Sequence, residues 1–417
     1  MNKRFYILGF AALSLLVGCS SDEEALVAAS EGAEGENIEA GMGLNSDVKI
    51  RLSSRSNATR SSVESTPGGL FEANGVGIFC LATGYQNQST STEHPIDWMQ
   101  QIDFGLTNND GKSTSFSAWL DNEKANAKYG YAAEDLEKTT PIETNIVWDG
   151  STPEAPIDYY YPIGTWYNYS FYGYYPYASG TMLEKTSTTR KVKFTIDGTQ
   201  DVIWGKAESD EQYAYSAKYF RQPENVDKVP EMKFKHVLMR ITFTSYPGAS
   251  GDGTITKALT MGVKSITLLN VPTQGELLVA DYNNPANEGV ATFDWSESAV
   301  KADLDMTDPG DAEFGTGHWL ESVDNDGVTP KETVVGQGFI VPVPTTGMTY
   351  YVKIVLEDKQ GRTFVSEFPI ALSNSADYEA GKSYNVRLTI YGPQDIKLNA
   401  TLEPWDLDDS TIGGIEL

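Results

Sequence analysis

The residues best suited by type and spacing to undergo chemistry lie at the N-terminus. Lys3 and Arg4 precede an apolar run from Phe5 to Val17, which ends in Leu16-Val17-Gly18-Cys19. A short apolar run behind basic residues is typical of a secretory signal and is too short for an ordinary membrane-spanning helix. An apolar residue three positions before the cysteine and a small residue directly before it match the lipobox, whose thiol accepts a diacylglyceryl group. We therefore predict a signal peptide at residues 1–18 and a lipoprotein acylated, palmitate included, on Cys19.

The stretch after Cys19 has the composition of a flexible acidic tether. Residues 19–47 contain no Lys or Arg and few large apolar side chains, so they cannot bury enough surface to offset the entropy of ordering. Asp22-Glu23-Glu24 resembles the acidic export signal of surface lipoproteins in the Bacteroidota. We therefore expect a surface-exposed lipoprotein, held on outer-membrane lipid through Cys19.

Catalytic patterns are hard to find elsewhere in the sequence. The three histidines, His94, His236 and His318, are far apart, whereas a zinc site needs clustered His or Cys. No G-x-S-x-G or P-loop motif occurs. Asp324-Asn325-Asp326-Gly327 begins like a calcium loop, but its twelfth position is Val335, which favours a simple turn. Paired carboxylates stay open in so acidic a chain, but the sequence predicts neither an enzyme nor a cofactor or metal.

Charge and cysteine content restrict the partners. The formal net charge of −27 argues against nucleic acid and against polybasic membrane binding. Cys80 is the only cysteine besides Cys19, so we expect no intramolecular disulfide in the mature chain. Its apolar neighbours predict that Cys80 is a buried, inert thiol.

The apolar periodicity predicts an all-β protein. Alternation indicates half-buried strands at Val48–Leu52, Met239–Phe243, Tyr350–Leu356 and Tyr384–Ile390. Val263–Val271 is predicted to be a buried strand, with Gly275–Ala280 as its expected partner. Short strands bounded by turns point to β-sandwiches. We place one domain at 48–231 and a second at 232–417, because Pro223–Pro230 is the most linker-like stretch.

The segment Asp158–Tyr177 is unusually rich in tyrosine and also holds Trp166. Exposed rings of this kind could stack on sugars, with Tyr161, Trp166 and Tyr172 as the candidates. The alternative is a core or interface role, since Tyr and Trp suit β-sheets and bury large areas. The alternation of aromatics on both faces favours the core or interface interpretation.

The order of several short motifs resembles the fimbrillin-like proteins, the subunits of type V pili of Bacteroidales. The motifs span most of the mature chain: the lipobox, Thr59-Arg60 after a first strand, Tyr174-Tyr175-Pro176, Phe234-Lys235-His236-Val237-Leu238, Val263-Lys264-Ser265-Ile266-Thr267-Leu268, Tyr378-Glu379-Ala380-Gly381-Lys382-Ser383-Tyr384, and Trp405. The resemblance implies two tandem transthyretin-like, Greek-key β-sandwich domains. It also implies a lipoprotein precursor that a trypsin-like arginine protease cuts after the first strand, so that a neighbouring subunit's strand fills the groove left behind.

Mapped onto this chain, the resemblance makes Val48–Leu52 the strand removed and Arg60 the cleavage residue, with Arg55 as the alternative. The C-terminal segment, with Leu398, Ala400 and Leu402 alternating, is either the donor strand or simply the last strand of the second domain. The expected function is a structural subunit of a surface fimbrium, supporting adhesion, whose partners are other pilus subunits. The alternative is a surface lipoprotein, a tip adhesin included, that binds host or bacterial glycans and does not polymerise.

Overall fold

The part of the chain that the structure describes folds mainly into β-strands. A computed structural model describes residues 45–56, 64–66, 70–85, 96–100, 117–132, 134–138, 141–152, 154–162, 167–308, 317–323, 326–343, 349–370, 378–393 and 395–403. The strands of the first half are β1 (Asn45–Lys49), β2 (Ser53–Ser56), β3 (Glu64–Thr66), β4 (Leu70–Tyr85), β5 (Ala118–Tyr131), β6 (Pro141–Trp148), β7 (Tyr160–Pro162), β8 (Tyr167–Tyr175), β9 (Leu183–Lys185), β10 (Thr189–Thr195), β11 (Ile203–Ala207) and β12 (Glu231–His236).

The described part of the second half is also built mainly of strands. Its strands are β13 (Met239–Pro247), β14 (Met261–Pro272), β15 (Gln274–Asp281), β16 (Val290–Phe293), β17 (Lys301–Asp305), β18 (His318–Trp319), β19 (Thr333–Ile340), β20 (Tyr350–Asp358), β21 (Thr363–Ile370), β22 (Ser383–Gly392) and β23 (Asp395–Glu403). One short α-helix, α1 (Ala217–Phe220), and 3₁₀ turns at Gly180–Met182, Ala258–Thr260 and Pro285–Asn287 complete the described elements.

The largest sheet of the first half closes on itself. Its strand order is β3-β4-β5-β6-β2-β12-β11-β8, and β4 also pairs with β8. Hydrogen bonds therefore run round a ring in which β2 joins β6 to β12. The ring encloses a core that includes Val76, Ile78, Trp119, Phe171 and Phe234.

The second half forms a β-sandwich. One sheet has the order β19-β13-β22-β23, with β13 and β22 parallel, and the other has the order β17-β14-β20-β21. Alternate residues of both sheets, such as Ile241, Val386, Ile266 and Ile354, are fully buried in one core. Inward-facing apolar residues from two facing sheets are what a sandwich requires.

Most of the predicted strands are present. Met239–Phe243 lies in β13, Val263–Val271 in β14, Tyr350–Leu356 in β20 and Tyr384–Ile390 in β22. Strand β20 pairs antiparallel with β21. The pairing predicted for Gly275–Ala280 is wrong, because β15 pairs with β10 and β16 and not with β14. Only Thr273 separates β14 from β15, which is too short for a hairpin turn, so the chain passes directly into another sheet.

The division at residues 231 and 232 stays a prediction. Strand β12 begins at Glu231 and pairs with β11 and β2. A four-stranded sheet, β16-β15-β10-β9, takes strands from both sides of that point. Among the described helices, none is long and apolar enough to cross a membrane.

Candidate functional site

The first described residues, 45–56, bridge two sheets, and we call them the N-terminal segment. Strand β1 pairs antiparallel with β7, and just beyond it the Ile50 amide donates to the Tyr159 carbonyl at 2.7 Å. The Leu52 carbonyl then accepts from the Ile146 amide at 2.9 Å, and the Ser53 amide donates to the Pro230 carbonyl at 3.0 Å. Strand β2 finally runs parallel to β12. The segment is therefore hydrogen-bonded on both sides where it completes the ring.

Side chains of the N-terminal segment alternate as predicted, over a longer span. Ile50 is 2% exposed and Leu52 is 3% exposed, whereas Lys49 and Arg51 point to solvent. The predicted strand Val48–Leu52 covers the end of β1 and the link to β2. The side chains keep alternating through residues 50–52, although these residues are not in a strand. Burying one such apolar side chain contributes about 1.5–3 kcal/mol. Burial of these side chains thus contributes most of the free energy that holds the N-terminal segment in place.

One buried position of the N-terminal segment is polar. Ser54 is buried, and its Oγ has no hydrogen-bond partner within the described part of the chain. A buried hydroxyl without a partner costs about 1–3 kcal/mol. The segment therefore fits its groove less favourably than a fully apolar strand would.

Exposed ion pairs connect the N-terminal segment to the rest of the chain. Lys49 Nζ lies 2.6 Å from Asp158 Oδ1, and Arg221 donates to Asp47 Oδ1 at 2.7 Å. Exposed ion pairs contribute roughly 0–1 kcal/mol. They fix the register of the segment more than they add stability.

Aromatic side chains form the floor beneath the N-terminal segment. Tyr161 stacks on Phe220 with 5.1 Å between ring centroids and meets Phe171 edge-on at 6.1 Å. Burial raises the pKa of Tyr161 well above its usual value, with smaller contributions from Cys80 and Tyr215. Burial also raises the pKa of Tyr215 to about 12. These phenols stay neutral at physiological pH, so the floor is an uncharged aromatic surface.

Of the predicted processing and lipidation residues, the structure describes only Arg55. Cys19 and Arg60 lie outside the described residues. Arg55 lies in β2 opposite Lys233 of β12, its side chain exposed and 3.7 Å from Glu231. A protease needs an extended strand free of such pairing, so the backbone at Arg55 is a poorer substrate while β2 stays in the sheet.

The sugar-stacking role proposed for the aromatic segment is not supported at two of its three candidate residues. Tyr161 and Tyr172 are each 1% exposed and leave no ring face for a sugar; Trp166 lies outside the described residues. Burial, together with the negative charge of Glu288, raises the pKa of Tyr172. Tyr161 packs in the core enclosed by the ring, and Tyr172 packs in the core that includes the sandwich. Tyr161 nevertheless remains an interface candidate, since the N-terminal segment covers it.

The histidines that the structure describes are structural. His236 Nδ1 pairs with the buried Asp201 carboxylate, and His318 Nε2 lies 3.0 Å from Asp308 Oδ1. Within the described ranges no cluster of three His, Cys, Asp or Glu side chains could hold a metal ion. Asp326 accepts hydrogen bonds from the amides of Val328 and Thr329, the turn chemistry expected there.

Cys80 is a free thiol in the core of the ring, as predicted. It is fully buried on β4, and burial raises the pKa of the thiol well above its usual value. A buried neutral thiol is a small apolar side chain and not a nucleophile.

The C-terminal strand is paired in this conformation. Strand β23 runs antiparallel to β22 from Asp395 to Glu403 and forms the end of its sheet. Ala400 and Ile396 face the core. Residues 404–417, which include Trp405, lie outside the described residues, so the donor role predicted for this end stays a prediction.

The stretch Pro223–Pro230 has a linker-like sequence but lies against the N-terminal segment. Arg51 donates to the Val226 carbonyl at 2.9 Å, and the Ser53 amide donates to the Pro230 carbonyl. The preceding helix α1 places Phe220 in the floor. Its N-cap, Ser216, accepts from the Tyr219 amide at 3.3 Å, a signal that sequence reading could have used.

The described residues define a protein built mainly of β-strands, whose most distinctive site is a groove occupied by its own N-terminal segment. The fimbrillin-like family model matches residues 96–405. This chain therefore belongs to the fimbrillin-like family, the pilus- and adhesion-type proteins of the cell surface. No curated protein matches the chain significantly.

Several solved structures are similar to the chain over most of its length. A cell adhesion protein from Bacteroides uniformis is 15% identical, with 87% of this chain and 99% of that chain covered and a TM-score of 0.44. A fimbrial protein from Bacteroides vulgatus is 13% identical, with 86% and 99% covered and a TM-score of 0.45. The tip fimbrial protein Mfa3 from Porphyromonas gingivalis is 10% identical, with 86% and 100% covered and a TM-score of 0.34.

Proposed function

We propose that this chain is a structural pilus subunit whose N-terminal segment is a replaceable strand. The chain travels as a lipoprotein acylated on Cys19 and is cut after Arg60 by a trypsin-like arginine protease. A strand from a neighbouring subunit then enters the groove. The observation that carries the proposal is the position of β2 between β6 and β12 at the start of the described chain.

The position of β2 supports excision by a single cut. The N-terminal segment is continuous with the chain end, so one break after residue 60 frees residues 45–56 from the rest of the molecule. Loss of β2 exposes the edges of β6 and β12, which face each other across one strand's width. Unpaired edges favour addition of an extended strand, and main-chain hydrogen bonds would supply affinity.

The groove also supports exchange on energetic grounds. Ile50 and Leu52 mark two apolar positions that an incoming strand would have to fill. Ser54 leaves a buried hydroxyl without a described partner, so a strand with an apolar residue there would bind more tightly. Replacement of the N-terminal segment by such a strand would then lower the free energy of the subunit.

Limited digestion of a non-acylated precursor tests the proposal. The Cys19→Ala full-length chain, treated with an arginine-specific protease, is expected to lose residues up to Arg60 and to form oligomers that resist heat and detergent. Arg60→Ala should abolish both effects, whereas Arg55→Ala should leave both intact. A trimmed chain that stays monomeric would rule out the polymerising subunit.

A disulfide lock provides the matched control. Ser53 and Asn145 are direct antiparallel partners, and cysteines at paired strand positions lie within disulfide reach. Ser53→Cys with Asn145→Cys is expected to hold the cut N-terminal segment in place, so oligomers form only after reduction. Oligomers of equal yield from the oxidised chain would show that assembly does not use this groove.

The glycan-binding alternative has less support. Two of the three rings proposed to stack on sugars are buried. Retention by a polysaccharide that is lost on Trp166→Ala, with folding intact, would revive it.

A further inference from the structure

A cavity of about 380 Å³ lies beside the N-terminal segment. Its lining includes Lys49 and Arg51 of the N-terminal segment, together with Tyr161, Phe220, Arg221 and Lys228 from the rest of the chain. Ligand sites are typically concave, partly apolar and of about 300–1,000 Å³. The cavity is therefore of a size that suits a small molecule.

The cavity is cationic in an acidic chain. Four basic side chains and one carboxylate, that of Asp47, line it, although the chain carries a net charge of −27. Three of the basic side chains form ion pairs with carboxylates. The distances are 2.6 Å for Lys49 with Asp158, 2.7 Å for Arg221 with Asp47 and 2.9 Å for Lys228 with Glu211.

Arg51 differs from the other three basic residues. Its guanidinium donates to the Val226 carbonyl at 2.9 Å, and it has no carboxylate partner among the residues that the structure describes. Within the described part of the chain, one positive charge in the cavity wall thus has no neutralising carboxylate.

Tyr161 supplies a second group without a partner. The residue is 1% exposed, and its hydroxyl has no hydrogen-bond partner within the described ranges. The charge of Arg51 acts on it, lowering a pKa that burial raises much further. The hydroxyl is therefore a neutral donor near a guanidinium, and a ligand oxygen accepting from it would remove the cost of an unsatisfied buried group.

We propose that the cavity binds a small organic monoanion with an apolar body. The carboxylate pairs with Arg51 and accepts a hydrogen bond from Tyr161, and the apolar part packs against Phe220. A planar guanidinium with a neighbouring hydroxyl suits a carboxylate, whose two oxygens can each accept a bond.

Such a ligand would bridge the N-terminal segment to the body of the subunit. Arg51 belongs to the N-terminal segment, whereas Phe220 and Tyr161 do not. Binding only to the form that keeps the segment stabilises that form by mass action. The ligand would thereby slow release of the segment after cleavage, a consequence that rests on the proposed function.

Calorimetric titration of the full-length Cys19→Ala chain with hydrocinnamate tests the site without any protease. Saturable binding is expected, with the neutral hydrocinnamamide about tenfold weaker or worse. Arg51→Gln and Tyr161→Phe should each weaken hydrocinnamate by several-fold to about tenfold without lowering Tm. Arg55→Gln, the same change on the next exposed arginine, should leave the affinity unchanged.

Three results would overturn the site: no saturable binding at about 10 mM, equal binding of acid and amide, or an affinity that Arg51→Gln does not change. Since these titrations need no cleavage, they fail independently of polymerisation. In the cleaved chain, hydrocinnamate should slow loss of the N-terminal segment. Unchanged release despite binding would overturn the bridging role alone.

Discussion

The backbone amide of Ile146 donates a hydrogen bond of 2.9 Å to the carbonyl oxygen of Leu52. This bond lies where the N-terminal segment leaves β7 and enters the ring between β6 and β12. The side chain of Leu52 is buried at the same point. One residue thus joins the segment to the sheet through its backbone and to the core through its side chain.

Shortening the buried side chains of the N-terminal segment should destabilise the precursor. Ile50→Ala and Leu52→Ala are each expected to lower the free energy of unfolding by about 2–5 kcal/mol, because each leaves a cavity in the core. Chemical denaturation of the Cys19→Ala chain measures this. Arg55→Ala, an exposed change in the same segment, should stay within about 0.5 kcal/mol. Equal effects at all three positions would mean that the segment is not anchored through its buried face.

Removing the Ser54 hydroxyl should stabilise the precursor. Ser54→Ala deletes a buried group without a described partner and is expected to raise the free energy of unfolding by up to about 1 kcal/mol. The neighbouring Ser53 Oγ has an acceptor, the Pro230 carbonyl at 3.5 Å, so Ser53→Ala should not stabilise. The same denaturation experiment compares the two variants. A loss of stability in Ser54→Ala would show that its hydroxyl is satisfied after all.

Buried tyrosines should make the protein sensitive to high pH. Burial raises the pKa of Tyr161 and Tyr169 well above the usual value, and that of Tyr215 to about 12. The unfolded chain releases these protons near pH 10, roughly the value of free tyrosine. The stabilising contribution is therefore complete below about pH 10 and is lost as the pH rises toward the folded values.

Phenolate absorbance, followed together with circular dichroism, measures this titration. We expect a fraction of the tyrosines to ionise only above about pH 11 or on unfolding, and Tyr215→Phe to remove one of the late steps. Complete ionisation in a single step near the ordinary value, with the native spectrum retained, would contradict the buried placement.

Much of the fold could be predicted from period-two patterns. Ile50 and Leu52 alternate with charged residues, and the buried face followed directly from that pattern. Tyr384–Ile390 and Tyr350–Leu356 show the same pattern, because one face of each strand is buried and the other is more exposed.

Pairing across long sequence separation could not be predicted. Nothing local in Ser53–Ser56 indicates a parallel partner at Glu231–Phe234. The change of sheet at Thr273 also depends on distant strands, since β15 pairs with β10 and β16 and not with β14. The unpartnered hydroxyls of Ser54 and Tyr161 also depend on distant neighbours, so the candidate site emerged only from the tertiary structure.

The N-terminal residue of the protein recovered from fimbrial material on cells tests the central claim most directly. Mass spectrometry of assembled subunits should find Ser61 at the N-terminus, with the lipid, tether and N-terminal segment removed together. Assembled subunits that begin with acylated Cys19 and keep residues 45–56 would contradict replacement of that segment by a neighbour's strand.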